Sequence, residues 1–304
     1  MKILLTGGAG FIGSHLAEAF IAAGHQVVIV DKLSTGRAEY LHPAADFYQM
    51  DICSDDLPAV FERERPEVVC HHAAQMSVLV SLREPLLDAQ TNILGSLNLL
   101  TCAQNYGARA FIFASSGGTV YGDAATLPTP ESAPLLPLSP YGLSKMSFEH
   151  YLRLAAMTSP LQISILRYAN VYGERQSPHG EAGVIAIFTE KMLRGEVVSI
   201  YGDGEQSRDF IYVGDVVRAN LAALERPEPL QTFNIGTGRP TTVNQIFAHL
   251  AKLTHYPHSP EWLEVKAGEV RHNLLDIRQA GAHLGWAPEM PLAEGLARTV
   301  AAYR

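Results

Sequence analysis

Cysteine is scarce in this chain: Cys53, Cys70 and Cys102 are odd in number and form neither a CxxC pair nor a metal-ligand spacing. No disulfide framework follows from them, and they read as reduced structural thiols of a cytoplasmic protein. Runs of lysine or arginine are also missing and the net charge is −8, which argues against a nucleic-acid surface and a polybasic membrane anchor. An anionic substrate would need a local cationic pocket. No apolar stretch is long enough to span a bilayer. The opening Met1-Lys2-Ile3-Leu4-Leu5-Thr6 reads as a short strand running into glycines rather than as a signal peptide. The dozen histidines, His15 and the His71-His72 pair among them, show no metal spacing and read as packing or surface residues. There is no internal repeat and no low-complexity segment.

What is present is enough apolar material for a large core: 304 residues, 47% of them hydrophobic, which suits one large domain with a smaller one. Short β-branched runs alternate with helical stretches: Lys2 to Thr6, Phe11 to Ala23, Gln26 to Asp31, Pro66 to His72, Leu86 to Tyr106, Ala110 to Ser115, Tyr141 to Met157 and Gln162 to Tyr168. Such alternation implies parallel strands joined by right-handed crossovers, an α/β doubly wound parallel sheet of the Rossmann kind. The prolines between Thr126 and Pro140 exclude a long helix and make an ordered loop leading to Tyr141. After Asn170 the rhythm loosens. We therefore expect a nucleotide-binding domain over residues 1–169 and a smaller C-terminal α/β substrate domain over 170–304, with a segment near 208–238 returning to the first sheet through Phe233-Asn234-Ile235-Gly236.

Three segments carry chemistry. Gly7-Gly8-Ala9-Gly10-Phe11-Ile12-Gly13 follows a strand and opens a helix, so backbone N–H groups and the helix N-terminus are placed to hold a pyrophosphate. The run fits both GxGxxG and GxxGxxG, and spacing alone does not choose between them. Asp31 ends the second strand eighteen residues past Gly13, where a carboxylate accepts from a ribose and repels a 2′-phosphate. NAD is favoured over NADP, a preference that Lys32 and Arg37 weaken. Phe113 to Gly122 runs a strand into a small polar turn, Ser115-Ser116-Gly117-Gly118-Thr119, suited to holding a substrate alcohol or to simple turn capping. Finally, Tyr141 and Lys145 stand four apart in Ser139-Pro140-Tyr141-Gly142-Leu143-Ser144-Lys145. One helix face carries both, so an ammonium can lie near the phenol oxygen or a cofactor ribose, a base suited to alcohol oxidation beside a nicotinamide; the spacing alone equally fits exposed surface residues, and its context carries the claim. Lowering that phenol by ~3 pH units requires ~4 kcal/mol of preference for phenolate, from Lys145 and an oxidised nicotinamide.

Together with Thr6 to Gly13, the Ser-Ser-Gly-Gly-Thr-Val-Tyr-Gly turn and Tyr141-x-x-x-Lys145, the segments Arg167 to Gly173, Tyr201-Gly202-Asp203-Gly204 through Arg208-Asp209-Phe210, Gly268 to Asn273 and Leu284-Gly285-Trp286 cover nearly the whole chain. In that combination the sequence resembles the extended short-chain dehydrogenases, and among them the nucleotide-sugar enzymes of the UDP-glucose 4-epimerase type. The resemblance implies that Gly7, Gly10, Phe11 and Ile12 hold the pyrophosphate, that Asp31, Lys32, Ser34, Thr35 and Gly36 surround the adenosine ribose, and that Asp51 and Ile52 flank the adenine. It assigns Ala73, Ala74, Gln75, Asn92, Ser115 and Tyr168 to the nicotinamide half. Asn170, Val184, Ile185, Ser199, Tyr201, Arg208, Arg271 and Asn273 fall at substrate positions, with Arg208 as the cation for a diphosphate.

The implied reaction is a 4-epimerisation. Tyr141 takes the proton of the sugar 4-hydroxyl while C4 hydride passes to NAD, and after rotation of the keto sugar both are returned. Three departures from the family matter. Its substrate-contacting Ser or Thr is Gly117, so Ser116, Thr119 or water must serve; Lys266 stands where Arg is common; and Met76 replaces a lysine of some relatives. Gly117, Gly118 and Thr119 supply no carboxylate, which disfavours dehydratase and decarboxylase readings. UDP-glucose and UDP-galactose are the expected pair, with the N-acetylated and glucuronate sugars as alternatives. Asn273 is either the selectivity gate or an ordinary turn residue. A non-catalytic NAD or nucleotide-sugar sensor is the reading from another class, disfavoured by intact Tyr141 and Lys145. Leu86 to Tyr106 and Ser144 to Met157 suit homodimerisation, as in the family, or burial against their own sheet.

Overall fold

The computed structural model describes residues 1–179, 183–265 and 270–304. In chain order the first part comprises β1 (Lys2–Thr6), α1 (Phe11–Ala22), β2 (Gln26–Asp31), β3 (Asp46–Gln49), α2 (Leu57–Glu64), β4 (Val68–His71), α3 (Val78–Arg83), α4 (Pro85–Ala89), α5 (Ser96–Asn105), β5 (Ala110–Ser116), α6 (Pro140–Thr158) and β6 (Gln162–Tyr168). It continues with β7 (Asn170–Tyr172), α7 (Val184–Leu193), β8 (Ser199–Tyr201), β9 (Ser207–Tyr212), α8 (Val213–Glu225), β10 (Leu230–Ile235), β11 (Pro240–Thr242), α9 (Val243–Thr254), β12 (Glu261–Leu263) and α10 (Leu292–Ala302).

Seven strands form one sheet in the order β10-β6-β5-β4-β1-β2-β3, every pairing parallel. The chain first winds outward from β1 to β3 and then returns to β4 on the other side, so this is the doubly wound Rossmann architecture. Its switch point lies between β1 and β4, where the C-terminal strand ends leave a crevice. Apolar runs such as Ile3-Leu4-Leu5 and Val27-Val28-Ile29-Val30 are continuous rather than alternating because helices cover both sheet faces. The core accordingly splits in two, one cluster on each face.

Beyond β6 the chain builds a second core from α7, α9, α10 and β9, around Ile185, Phe188, Phe210, Ile246, Leu250 and Leu296. Two small sheets, β11-β9-β7 and β12-β8, accompany it. β10 lies along β6 from Leu230↔Ile163 to Ile235↔Tyr168 and so closes the edge of the large sheet.

Two differences from the sequence reading bear on the site. The stretch from Leu86 to Tyr106 is helical as read, but α4 runs into α5 through a π-helical segment, Gln90–Gly95. The wider turn brings Asn92 inward, where its carboxamide joins the hydrogen bonds described below; such segments recur at functional sites. Second, β3 and α2 lie in a region that the sequence reading left without elements. At the other end of the site, the proline-rich loop terminates at a well-formed helix start. Ser139 Oγ accepts from the Gly142 N–H at 3.1 Å and Pro140 occupies the first turn, which places Tyr141 at the mouth of α6.

Candidate active site

α6 crosses β5, and the two elements bring together Ser116, Tyr141 and Lys145. Tyr141 is half-buried and hydrogen-bonded to the Ser116 side chain. Lys145 is 4% exposed. Its ammonium donates to the Ala114 carbonyl at 2.9 Å and stands 4.7 Å from the Phe113 ring centre and 5.9 Å from that of Tyr141. Burial lowers the Lys145 ammonium to about 8, against the opposing pull of Asp88 and Glu149. Burial, assisted by the charge of Asp88, pushes the Tyr141 phenol up to about 12, while the Ser116 hydrogen bond works the other way. The lowered phenol expected from the Tyr141/Lys145 spacing is therefore not a property of the chain's own charges, since burial and Asp88 together raise the phenol against the Ser116 hydrogen bond. Phenolate here needs further positive charge beside it. His71 and His72, at the end of β4, are held neutral by burial, His72 down at about 3.

On the cofactor side, Gly7 has φ +72° and follows β1 directly. A Cβ on Gly7 would lie 2.7 Å from the Ala73 nitrogen, and one on Gly13 would lie 2.1 Å from the Gly7 oxygen, so this turn closes only with glycine. α1 starts at Gly10 with no side-chain cap and no acidic residue in its first turn, leaving the N–H groups at the helix start without a side-chain partner. Asp31 is 9% exposed; its Oδ2 accepts from the Ala9 N–H at 3.0 Å and its Oδ1 from the Leu33 N–H at 2.8 Å. It thus fastens the loop holding Ser34, Thr35 and Gly36 against the glycine turn, with Gly36 packed on Ala9. Lys32 pairs with Asp51 at 2.9 Å, and Arg37 approaches Glu39 at 3.4 Å. The two cations that weakened the NAD preference are both occupied by carboxylates. Phe11 and Ile12 are half-buried and Ile52 is buried in the core. The Ala73 N–H donates to Thr6 Oγ1 at 3.1 Å, and Ala74 is half-buried beside it.

The side chains of four residues assigned to lining roles are engaged within the protein. Asn92, 2% exposed, has its carboxamide fully engaged: Oδ1 accepts from the Gln75 N–H at 2.9 Å, and Nδ2 donates to Gln75 O, Asp88 Oδ1 and Ser144 Oγ at 2.8, 2.9 and 3.3 Å. Ser115 donates at 2.6 Å to Glu149, so its hydroxyl points under α6. The Tyr168 hydroxyl lies between Asn220 Nδ2 at 2.7 Å and His72 Nε2 at 3.0 Å, again inward. Ile185, 1% exposed, belongs to the second core. Side-chain direction decides all four: alternate residues of a strand or an inward turn of a helix face the core.

On the substrate side, Gly117 is buried. A Cβ there would meet Leu275 Cδ1 at 2.6 Å, so Leu275 fills the space that a serine or threonine would need. Asn273 donates from Nδ2 to the Gly117 carbonyl at 3.2 Å. Three buried oxygens nearby, Thr119 Oγ1, Asn170 Oδ1 and Asn273 Oδ1, have no protein partner, and buried polar atoms of that kind await one. Arg208 Nη1 donates to the carbonyls of Ser207 and Arg271 at 3.0 and 3.3 Å. Arg271 is exposed and paired with Asp203 at 2.7 Å, and Ser199 donates to Glu261 at 3.0 Å. Val184 opens α7 and Tyr201 closes β8. Lys266, Gly268 and Glu269 lie outside the described residues.

Sequence reasoning passed over Glu149, Arg167 and Asp88 as site residues. Glu149 continues the four-residue spacing of Tyr141 and Lys145, a signal in plain view. It is 0% exposed and grips Arg167 of β6 at 2.9 and 2.5 Å. The same guanidinium donates to Tyr121 Oη at 2.7 Å and to the Glu131 carbonyl at 3.1 Å. Burial alone would lower the guanidinium, but Glu149 outweighs it and holds the arginine firmly charged.

Residues 3–236 match the model of the NAD dependent epimerase/dehydratase family. The UDP-glucose 4-epimerase of Mycolicibacterium smegmatis is 42% identical over 100% of this chain and 99% of its own. Among solved structures, a UDP-glucose 4-epimerase of Thermotoga maritima with UDP-glucose is 51% identical with a TM-score of 0.97, covering 100% of this chain and 98% of that one. One of Thermus thermophilus in complex with NAD is 40% identical with a TM-score of 0.94, covering 100% and 99%.

Proposed function

The chain belongs to the NAD dependent epimerase/dehydratase family, and from that premise we propose that it is a UDP-glucose 4-epimerase. The observation that carries the reading is the convergence of Ser116, Tyr141 and a buried Lys145 at the C-terminal end of β5, beside an uncapped glycine turn. The turn fits NAD: its glycines clear the backbone for a pyrophosphate, and Asp31 with Lys32 neutralised by Asp51 suits an unphosphorylated ribose. NAD held there would supply the hydride acceptor and donor for C4 of the sugar.

The chain's own part is proton traffic and positioning. Tyr141 removes the 4-hydroxyl proton and later returns it, Ser116 donates to the same oxygen, and the Lys145 charge favours the phenolate. The partnerless oxygens of Thr119, Asn170 and Asn273 offer acceptors for sugar hydroxyls, and Arg208 is the cation for the diphosphate. No carboxylate stands at 117 to 119 to eliminate water or carbon dioxide, so oxidation is transient. Incubating the purified protein with UDP-galactose, UDP-N-acetylgalactosamine and UDP-galacturonate should convert the first to its 4-epimer, with the others as slower substrates. Conversion of none of them would sink the proposal in favour of a sensor.

The protein acts in the cytoplasm as a homodimer through α3, α4 and α6. Leu82, Leu86, Leu154 and Met157 on these neighbouring helices are 56%, 85%, 56% and 83% exposed, an apolar face larger than isolated surface leucines account for. Leu86→Glu with Leu154→Glu should convert the protein to a monomer in sedimentation velocity. A wild type already monomeric at micromolar concentration would remove the dimer from the reading.

A further inference from the structure

Two carboxylates press on Lys145, and they differ in one respect. Glu149 carries its own counter-cation, Arg167, in a two-bond pair. Asp88, at the end of α4 and 1% exposed, is held by amides alone: its Oδ1 accepts from Gln75 Nε2 and Asn92 Nδ2, each at 2.9 Å. A buried carboxylate held by neutral groups is costly unless its charge has a use. Asn92 passes the contact on to Ser144, which lies between Tyr141 and Lys145 on α6. Gln75 in turn fixes the loop after β4, its Oε1 accepting from the Ser77 N–H at 2.6 Å.

The groups facing this centre are few. Lys145 feels the charge of Asp88 on α4 and of Glu149 on its own helix, while His71 at the end of β4 and His72 just past it are neutral. Tyr141 meets Asp88 and the Ser116 hydroxyl. With Glu149 bonded to Arg167, Asp88 is the nearby carboxylate that amides rather than a cation hold. Asp88 and Lys145 then leave Tyr141 in a centre of nearly zero net charge rather than beside a lone cation.

We propose that Asp88 is a positioning residue of the proton-transfer centre, holding the first turns of α6 through Asn92 and Ser144 and, by its buried charge, setting the pH range in which Tyr141 works. This rests on the epimerase reading for its kinetic consequence but not for its electrostatic one. Asp88→Asn keeps an oxygen to accept from Gln75 and Asn92 while removing the charge. Without the negative charge the phenolate forms more readily and the ammonium is lost more readily. Both limbs of the pH–kcat profile of the NAD-loaded enzyme therefore move to lower pH, by about one unit, roughly tenfold in proton affinity. Ultraviolet titration of the Tyr141 phenolate, read as the difference between each protein and its Tyr141→Phe counterpart, moves down likewise from about 12. A purely structural Asp88 would lower the amplitude and leave both limbs in place, and that result overturns the proposal. If the wild type epimerises no UDP-hexose, the functional reading fails while the titration still decides the role of Asp88. Should Asp88→Asn not fold, Asp88→Ser, smaller and also uncharged, must give the same direction of shift, and an unmoved titration in it overturns the proposal equally.

Discussion

Tyr141→Phe is expected to lower kcat by about 10³-fold, with KM for the UDP-sugar changed only a few-fold. The substitution removes one oxygen from a ring whose place at the start of α6 is set by Ser139 and Pro140 rather than by that oxygen. The fold and the glycine turn stay as they are, so mass spectrometry should find NAD retained as in the wild type. What is lost is the atom that exchanges the proton, and Ser116 does not replace it because a serine hydroxyl is a far weaker acid. The pH profile of the wild type should follow the same assignment. The phenol is raised by burial, so the active phenolate grows as pH rises, while Lys145 loses its proton above about 8. Activity should therefore climb through neutrality and fall beyond that point. Turnover by Tyr141→Phe within tenfold of the wild type would remove Tyr141 from the reaction and revive the sensor reading.

Arg167→Met is expected to cost about 3–5 kcal/mol of stability, read as a drop in the urea midpoint at unchanged slope. The arginine is 1% exposed and Glu149 is 0% exposed, so removing one partner strands a charge in the core between α6 and β6. Tyr121 Oη and the Glu131 carbonyl also lose their donor. The double variant Glu149→Leu with Arg167→Met removes both charges and should recover much of the loss, as it does when buried pairs are replaced by apolar groups of similar volume. Its recovery should not extend to kcat. Glu149 also accepts from Ser115 and lies on the same helix face as Lys145, so the apolar pair leaves α6 free to shift on β5. Equal destabilisation by the single and the double variant would mean that the pair is packing rather than electrostatics.

Much of the fold was legible in one dimension because it depends on local periodicity. β1, β2 and β6 begin and end where the apolar runs do, at Lys2–Thr6, Gln26–Asp31 and Gln162–Tyr168. The pair Tyr141 and Lys145 was legible for the same reason, since four residues along a helix is a local distance. The π-helical turn between α4 and α5 was not, because it goes with Asn92 bonding to Gln75 and Ser144 across three segments.

By itself, then, the sequence determined the alternation that makes a doubly wound sheet, the glycine turn at its switch point, and the identity of the base. Tertiary structure alone decided which way those side chains face and what charge they feel. Ser115 shares the sheet face of Arg167 and bonds to Glu149 under α6, while the Tyr168 hydroxyl is taken up by Asn220 and His72. Asp88 and Glu149, respectively 57 residues before and four residues after Lys145 in the numbering, converge on it only in the folded chain. Desolvation there raises the Tyr141 phenol more than any neighbouring group shifts it, and desolvation is a property of the packed interior that no spacing records.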